Sequence, residues 1–215
     1  MADGEDTSSS TDTGGRLRRR RVRTVLARWC YPYFPLAVAT FVVGGLAGGA
    51  AMAVVSADAL AAAAETVDAS SLFPAVLTPW TIFANNVVVV ALIALGGISF
   101  GLLTVVVLFF NGVVLGIVLV GSAGEGGLFP TLALILPHGI IELSAFFLVG
   151  GIAYRISWRL IAYLRGADST PITRGELRDA LVLTLLSVVA IAVAAWIEAT
   201  LTREIARLLV GDGVG

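Results

Sequence analysis

The sequence predicts an all-α, polytopic membrane protein: a bundle of about five transmembrane helices with its N-terminus inside the cell and its C-terminus outside. The chain has 215 residues, of which 58% are hydrophobic and only 13% are charged, whereas a soluble domain has about 45–50% apolar and about 25% charged residues. The apolar excess falls in blocks long enough to cross a bilayer, since about 20 apolar residues suffice. Composition therefore indicates a lipid bilayer as the main surroundings of the chain.

The distribution of arginine predicts the orientation of these spans. All fourteen basic residues are arginine; seven precede the first apolar block, five lie between the fourth and fifth blocks, and two lie near the C-terminus. Cytoplasmic loops of membrane proteins carry such excesses of basic residues, which also contact anionic lipid head groups. We expect no nucleic-acid partner, because the rest of the chain offers no DNA- or RNA-binding motif.

The pattern divides the chain into three parts. Residues 1–28, acidic and then arginine-rich, are predicted to form a disordered cytoplasmic tail. Residues 29–200 are predicted to form the transmembrane domain, and 201–215 a short C-terminal tail. The predicted spans cover residues 35–56, 83–99, 102–121, 130–153 and 179–198.

The second and third spans are predicted to form a hairpin. Residues 81–122 contain no formal charge, and a single helix of that length would measure about 63 Å, twice the hydrocarbon thickness. The glycines Gly96, Gly97 and Gly101 mark the bend. Both helices could cross the membrane fully, or the pair could re-enter on one side, and the sequence leaves both possibilities open.

Local signals predict two helix starts and one helix extension. Thr78 before Pro79 is typical of an N-cap with proline in the first turn, and Thr173 with Glu176 three residues later matches a capping box. The segment 155–166 is expected to continue the fourth helix into the cytoplasm, with its arginines on lipid head groups.

Glycines one turn apart indicate close helix packing. Gly44 and Gly48 lie in the first span, and Gly112 and Gly116 lie in the third. Small residues at this spacing let helix backbones approach closely in lipid. Packing inside the chain is the favoured interpretation, and homodimerisation is the alternative.

The strongest candidate for a functional site lies in the fourth span. Pro137, His138, Gly139 and Glu142 fall inside an apolar run from Thr131 to Ala153, and His138 is the only histidine of the chain. An ionisable group in hydrocarbon costs about 2.5 kcal/mol or more, so it normally faces a partner or a wet cavity. His138 and Glu142 are four residues apart and share one helix face.

Three buried amides are expected to complete this intramembrane polar cluster: Asn85, Asn86 and Asn111. Asn111 in the third span is expected to meet His138 or Glu142. The cluster could relay protons, bind a cation or clamp a partner, or it could only lock the bundle through hydrogen bonds.

Enzyme chemistry and cofactors are not expected. One histidine and one carboxylate are too few ligands for a metal site, the HExxH motif is absent, and Cys30 is the only cysteine. Residues 97–101 match the G-x-S-x-G pattern, but the nucleophile elbow of that pattern needs a strand before the serine. Here both flanks are predicted membrane helix.

These motifs together resemble the stage II sporulation protein M family of integral membrane proteins. The resemblance depends on Asn85-Asn86 opening a span, on the glycines 96, 97 and 101, on Asn111-Gly112 with Gly116, and on Pro137-His138-Gly139 with Glu142. It extends from about residue 30 to residue 200 and implies a five-span fold. Many relatives in this family belong to organisms that do not sporulate, including archaea, and we expect this chain to be such a member. The absence of lysine, with abundant Ala, Val, Gly and Asp, fits a GC-rich genome and a halophilic source.

The resemblance implies a non-enzymatic scaffold or anchoring subunit in the plasma membrane, since the sporulation member is thought to localise peptidoglycan-degrading partners. Protein partners, and a homo-oligomer as one possibility, follow from that role. The alternative from another class is a small transporter or channel subunit that uses the His/Glu/Asn cluster for protons or cations.

Overall fold

The computed structural model describes residues 24, 25, 27, 29, 32–55, 78–125, 127–202 and 204. The predicted disordered N-terminal segment and all seven N-terminal arginines lie outside this part of the chain. All regular structure in the described residues is helical, which confirms the predicted fold class. The five helices are α1 (Tyr33–Val54), α2 (Pro79–Leu95), α3 (Leu102–Glu125), α4 (Leu128–Leu164) and α5 (Arg174–Ile197), and a π-helical turn, Glu198–Thr202, follows α5.

Among the described helices, α1, α3, α4 and α5 are long and apolar enough to cross a bilayer. The helix α2 has 17 residues, or about 25 Å at 1.5 Å per residue, somewhat less than a hydrocarbon core of about 30 Å. Full crossing or re-entry of the α2–α3 hairpin, and the N-in/C-out orientation, stay predictions.

One side of α5 shows why this fold needs lipid. Large apolar side chains lie exposed along it at helical spacing, among them Leu181, Leu185, Val189 and Val193. A monomeric soluble protein rarely exposes so continuous an apolar surface. In a bilayer the same stripe faces hydrocarbon at no cost.

Both predicted helix starts are confirmed. Thr78 caps α2 with its side chain on the backbone N–H of Thr81, and Pro79 occupies the first turn. At α5, the hydroxyl of Thr173 accepts from the N–H of Glu176, and the Glu176 carboxylate accepts from the N–H of Thr173 at 3.1 Å. These reciprocal bonds satisfy backbone donors that a helix start leaves open.

The chain reverses direction between α2 and α3 at the glycines noted in the sequence. Gly101 has a φ of 85°, in the left-handed region that glycine adopts without strain. At Gly96 a side chain would collide with Thr104 of α3, so the two helices meet closely beside the turn. The buried Ser157 hydroxyl of α4 lies 3.2 Å from the carbonyl oxygens of both Gly96 and Gly97, as well as 2.9 Å from that of Ala153 in its own helix, and so places the turn against α4.

The glycine pairs hold α1 against α3. A Cβ on Gly44 or Gly48 would collide with the backbone of Phe109 or Val113, and Gly112 and Gly116 are equally tight against α1. No larger residue fits these positions without moving a helix. The glycines are therefore used for packing inside the chain, which is the favoured one of the two interpretations.

All five helices contribute to one dry core. Its most buried members include Val90 and Ile93 of α2, Leu108 of α3, Val149 of α4 and Ile191 of α5, all between 0% and 2% exposed. This core lies between two groups of ionisable side chains. One group, at one end of the α4–α5 pair, contains His138, Glu142 and Glu198; the other, at the opposite end, contains Arg155, Arg159 and Glu176.

Candidate functional site

A cavity with a mixed polar and apolar lining lies in the bundle, beside the first half of α4. It has a volume of about 460 Å³ and is partly open. Its polar lining comes from α2, α3, α4 and the turn after α5: Thr81, Asn85, Asn86, Asn111, His138, Glu142 and Glu198. The structure thus brings the five polar residues singled out in the sequence, Asn85, Asn86, Asn111, His138 and Glu142, to one cavity and adds Glu198 to them.

His138 and Glu142 line this cavity from one face of α4, as their four-residue spacing requires. Pro137 lies inside the helix without ending it. Gly139 also lines the cavity, and a Cβ there would come within 3.1 Å of Ile135, another lining residue. A larger residue at this position would therefore crowd the cavity wall.

Glu198 comes to the same place from the end of α5. Because α5 runs antiparallel to α4, its last turn lies beside the first half of α4, and the His138 Nε2 atom is 4.0 Å from the Glu198 Oε2 atom. One possible ligand atom from each of His138, Glu142 and Glu198 lies within 4.8 Å of the others. We call Asn86, His138, Glu142 and Glu198 the cavity cluster.

The two neighbouring asparagines of α2 lie at the cavity beside Glu142. Asn86 is buried, with 7% of its surface exposed, and it lines the same cavity as Glu142. The Asn85 amide donates to Asn86 Oδ1 at 3.4 Å. The side of the cavity formed by α2 therefore presents two amides that contact each other.

Asn111 lines the same cavity, but the hydrogen bond described for it runs within its own helix. Its Nδ2 atom donates to the carbonyl oxygen of Val107 at 2.8 Å. Asn111 was predicted to contact His138 or Glu142. It shares their cavity, but its amide nitrogen donates to a backbone carbonyl of α3.

Ser99 of the G-x-S-x-G match has a structural role in the α2–α3 turn. Its hydroxyl donates to the carbonyl of Gly96 and accepts from the N–H of Leu103, each at 3.2 Å. Ser157 fixes this turn to α4, and 19 residues of helix, or about 28 Å, separate Ser157 from His138. Ser99 and His138 therefore do not form a catalytic pair.

A second ionisable cluster lies at the other end of the α4–α5 pair, about 25 Å along α4 from His138. Arg155 contacts Glu176 at 3.1 Å, and Arg159 contacts Asp168 at 3.1 Å and Glu176 at 3.7 Å. We call Arg155, Arg159, Asp168 and Glu176 the arginine cluster. Both guanidinium groups thus pair with carboxylates of the same chain, and the expected contact of these arginines with lipid head groups stays a prediction.

Trp29 joins the arginine cluster from the N-terminal side. Its ring is 1% exposed, and the Arg155 guanidinium lies over it at 5.0 Å from the ring centroid. A cation over an indole face is attracted by the ring quadrupole. Two arginines with two carboxylates and an aromatic face make a cluster whose charges are balanced.

A sequence model of the family described as Stage II sporulation protein M matches residues 37–203, more than three quarters of the chain. The chain belongs to the stage II sporulation protein M family. It is also similar to an uncharacterized protein of Methanocaldococcus jannaschii, with 39% identity over 139 residues, or 64% of this chain and 74% of that relative. No solved structure matches the chain significantly.

Glu198 is the cavity residue that sequence analysis missed. A carboxylate at the end of an apolar block, two residues after Trp196, is ordinary for a membrane boundary. Only the antiparallel packing of α5 on α4 places it beside His138, 60 positions earlier in the chain. The expected absence of a metal site counted two ligands, and the structure brings a third.

Proposed function

We propose that this stage II sporulation protein M family member is a non-enzymatic, multi-pass subunit of the plasma membrane that anchors partner proteins. The observation that carries the proposal is the dry core between the two ionisable clusters. Val90, Ile93, Leu108 and Val149 fill the bundle there with at most 2% exposure. A packed bundle of this kind suits a rigid anchor better than a water-filled channel.

The extension of α4 offers a docking surface for such a partner. The helix runs eleven residues beyond the predicted span, and Trp158, Tyr163 and Leu164 are exposed on it. The arginine cluster fixes this extension to the start of α5, so its aromatic side chains have a defined position. Trp and Tyr are enriched both at membrane interfaces and in protein interfaces.

Affinity purification from gently solubilised native membranes tests the proposal. We expect the wild-type chain to recover a partner at fixed stoichiometry, measured by quantitative mass spectrometry. Trp158→Ala should lose that partner. Trp196→Ala should retain it, because Trp196 is equally exposed but lies at the opposite end of α5.

A well-folded wild-type chain that is recovered alone would contradict the anchoring role. If only further copies of the same chain are recovered, as counted by light scattering, the chain forms a homo-oligomer and does not anchor another protein. Deletion of the gene provides an independent readout, because an anchored partner should then lose its membrane localisation.

The cavity cluster favours a second candidate, a transporter or channel subunit for protons or cations. Intramembrane His and Glu side chains that face a cavity are typical of ion pathways. In proteoliposomes the wild-type chain would then produce cation or proton flux, which Glu142→Gln would abolish without loss of folded protein. Absence of flux in a folded, reconstituted chain would remove this candidate.

A further inference from the structure

The cavity cluster has the donor set of a metal site. His138 supplies an imidazole nitrogen, and Glu142 and Glu198 supply carboxylate oxygens, all half-buried in the wall of one cavity. Two of these donors are fixed on one helix face, and the third begins a separate turn. Ligands from two packed helices around a cavity are a common way to build such a site in a bundle.

The charges of the cluster also favour a cation. Two carboxylates face one imidazole in a medium where charge is costly. Within the described part of the chain, Arg155 and Arg159 are already paired about 25 Å away along α4. A divalent cation between the carboxylates would neutralise both of them.

The geometry is close to that of a bound ion. Ligand atoms around a tetrahedral Zn²⁺ lie about 3.4 Å apart, because each bond measures about 2.0–2.1 Å. The His138–Glu198 distance is 4.0 Å, and all three donors lie within 4.8 Å of one another. Side-chain movements of about 1 Å would bring the donor atoms from these separations to the spacing expected around Zn²⁺. The 460 Å³ cavity leaves space for water as a fourth ligand.

The outer contacts of the cluster fit as well. Ligating carboxylates in metal sites are usually held by further hydrogen bonds, which fix their direction. Asn86 lines the cavity beside Glu142 and accepts from Asn85 at 3.4 Å, so the cavity wall holds an amide next to the carboxylate.

We infer that His138, Glu142 and Glu198 form a binding site for one divalent first-row transition cation, with Zn²⁺ and Mn²⁺ as the best-fitting members. An imidazole among carboxylates selects this class over Ca²⁺ and Mg²⁺, which prefer oxygen ligands only. The site is independent of the anchoring role, because it needs no partner protein.

A first experiment uses the wild-type chain alone, purified in detergent with a tag that contains no histidine. After removal of metal with EDTA, the protein is dialysed against Zn²⁺, Mn²⁺ or Ca²⁺ and its metal content is measured. We expect one equivalent of Zn²⁺ or Mn²⁺ and no retained Ca²⁺. No retained transition metal, or equal retention of Ca²⁺, would overturn the inference.

The single histidine allows a second test that needs no variant. Diethylpyrocarbonate modifies imidazole, and His138 is the only one in the chain. Bound Zn²⁺ should protect His138 from modification, with half-protection at the same Zn²⁺ concentration as half-saturation in dialysis. Modification at an unchanged rate in saturating Zn²⁺ would show that the metal binds elsewhere.

Variants then assign the ligands. His138→Gln, Glu142→Gln and Glu198→Gln should each weaken Zn²⁺ binding at least tenfold. Glu204→Gln is the matched control, since Glu204 is exposed and lies outside the cavity lining, and it should bind as the wild type does. Undiminished binding in any of the three ligand variants would overturn the assigned set.

Discussion

The arginine cluster and the cavity cluster lie at opposite ends of the same two helices and differ in how their charges are balanced. At the arginine cluster, two guanidinium groups meet two carboxylates, with contacts of 3.1 Å for two of the pairs. At the cavity cluster, Glu198 lies at a looser 4.0 Å from His138, and Glu142 is a second carboxylate beside the same open volume. Among the described residues, the arginine cluster has equal numbers of positive and negative side chains, whereas the cavity cluster has two carboxylates for one imidazole and space for a ligand.

Removal of Glu176 should have the largest effect on stability. Glu176→Gln keeps the cap of α5 but leaves Arg155 and Arg159 without their common carboxylate, and the three side chains are only 9%, 17% and 27% exposed. Breaking a buried ion pair typically costs roughly 3–5 kcal/mol. We expect a loss of this order in the free energy of unfolding, measured by denaturation of the detergent-solubilised chain.

Asp168→Asn is the control for that variant. Among the described residues, Asp168 forms its ion pair with Arg159, and its side chain is 34% exposed. An ion pair so accessible to solvent contributes about 0–1 kcal/mol. Equal losses in the free energy of unfolding for both variants would contradict the view that the buried ion pairs of Glu176 stabilise the fold more than the accessible pair of Asp168.

Ser157→Ala should have an intermediate effect. Its buried hydroxyl lies 2.9 Å from the carbonyl oxygen of Ala153 in its own helix and, unlike that of Ser144, also 3.2 Å from the carbonyl oxygens of Gly96 and Gly97 in the α2–α3 turn. Loss of such a bond costs about 0.5–1.5 kcal/mol. Ser144→Ala should cost close to nothing in the same unfolding assay, since the Ser144 hydroxyl donates only within its own helix, to Ile140 at 2.6 Å.

Glu142→Gln should have the smallest effect on stability when no metal is present. It removes one of the two carboxylates at the cavity and leaves a neutral amide of nearly the same shape in its place. We therefore expect an unchanged or slightly higher unfolding midpoint in EDTA. A loss in the free energy of unfolding comparable to that of Glu176→Gln would show that the cavity cluster also stabilises the fold.

The two clusters also differ in how far the sequence predicted them. Asn86, His138 and Glu142 were recognisable because polar groups inside an apolar run are costly and therefore informative. Glu198 and the pairing of Arg155 with Glu176 were not, because charged residues near span ends are ordinary and have many possible partners. Their contacts depend on the antiparallel packing of α4 and α5, which no local pattern specifies.

The glycines illustrate the same limit in the apolar part of the bundle. The spacing of Gly44 and Gly48, and of Gly112 and Gly116, predicted close approach of helices. It did not predict that α1 and α3 are the pair that meets, because any small-residue stripe can face any other. Local chemistry indicated which faces pack, and the fold determined their partners.

The most direct test of this contrast compares thermal unfolding of three chains, wild type, Glu176→Gln and Glu198→Gln, each in EDTA and in saturating Zn²⁺. A ligand that binds only the folded state raises the unfolding midpoint. We predict that Glu176→Gln lowers the midpoint in both conditions but keeps the rise caused by Zn²⁺. Glu198→Gln should keep the wild-type midpoint in EDTA and lose that rise. If Glu198→Gln instead lowered the EDTA midpoint as far as Glu176→Gln and kept the Zn²⁺ effect, the assignment of the two clusters would be wrong.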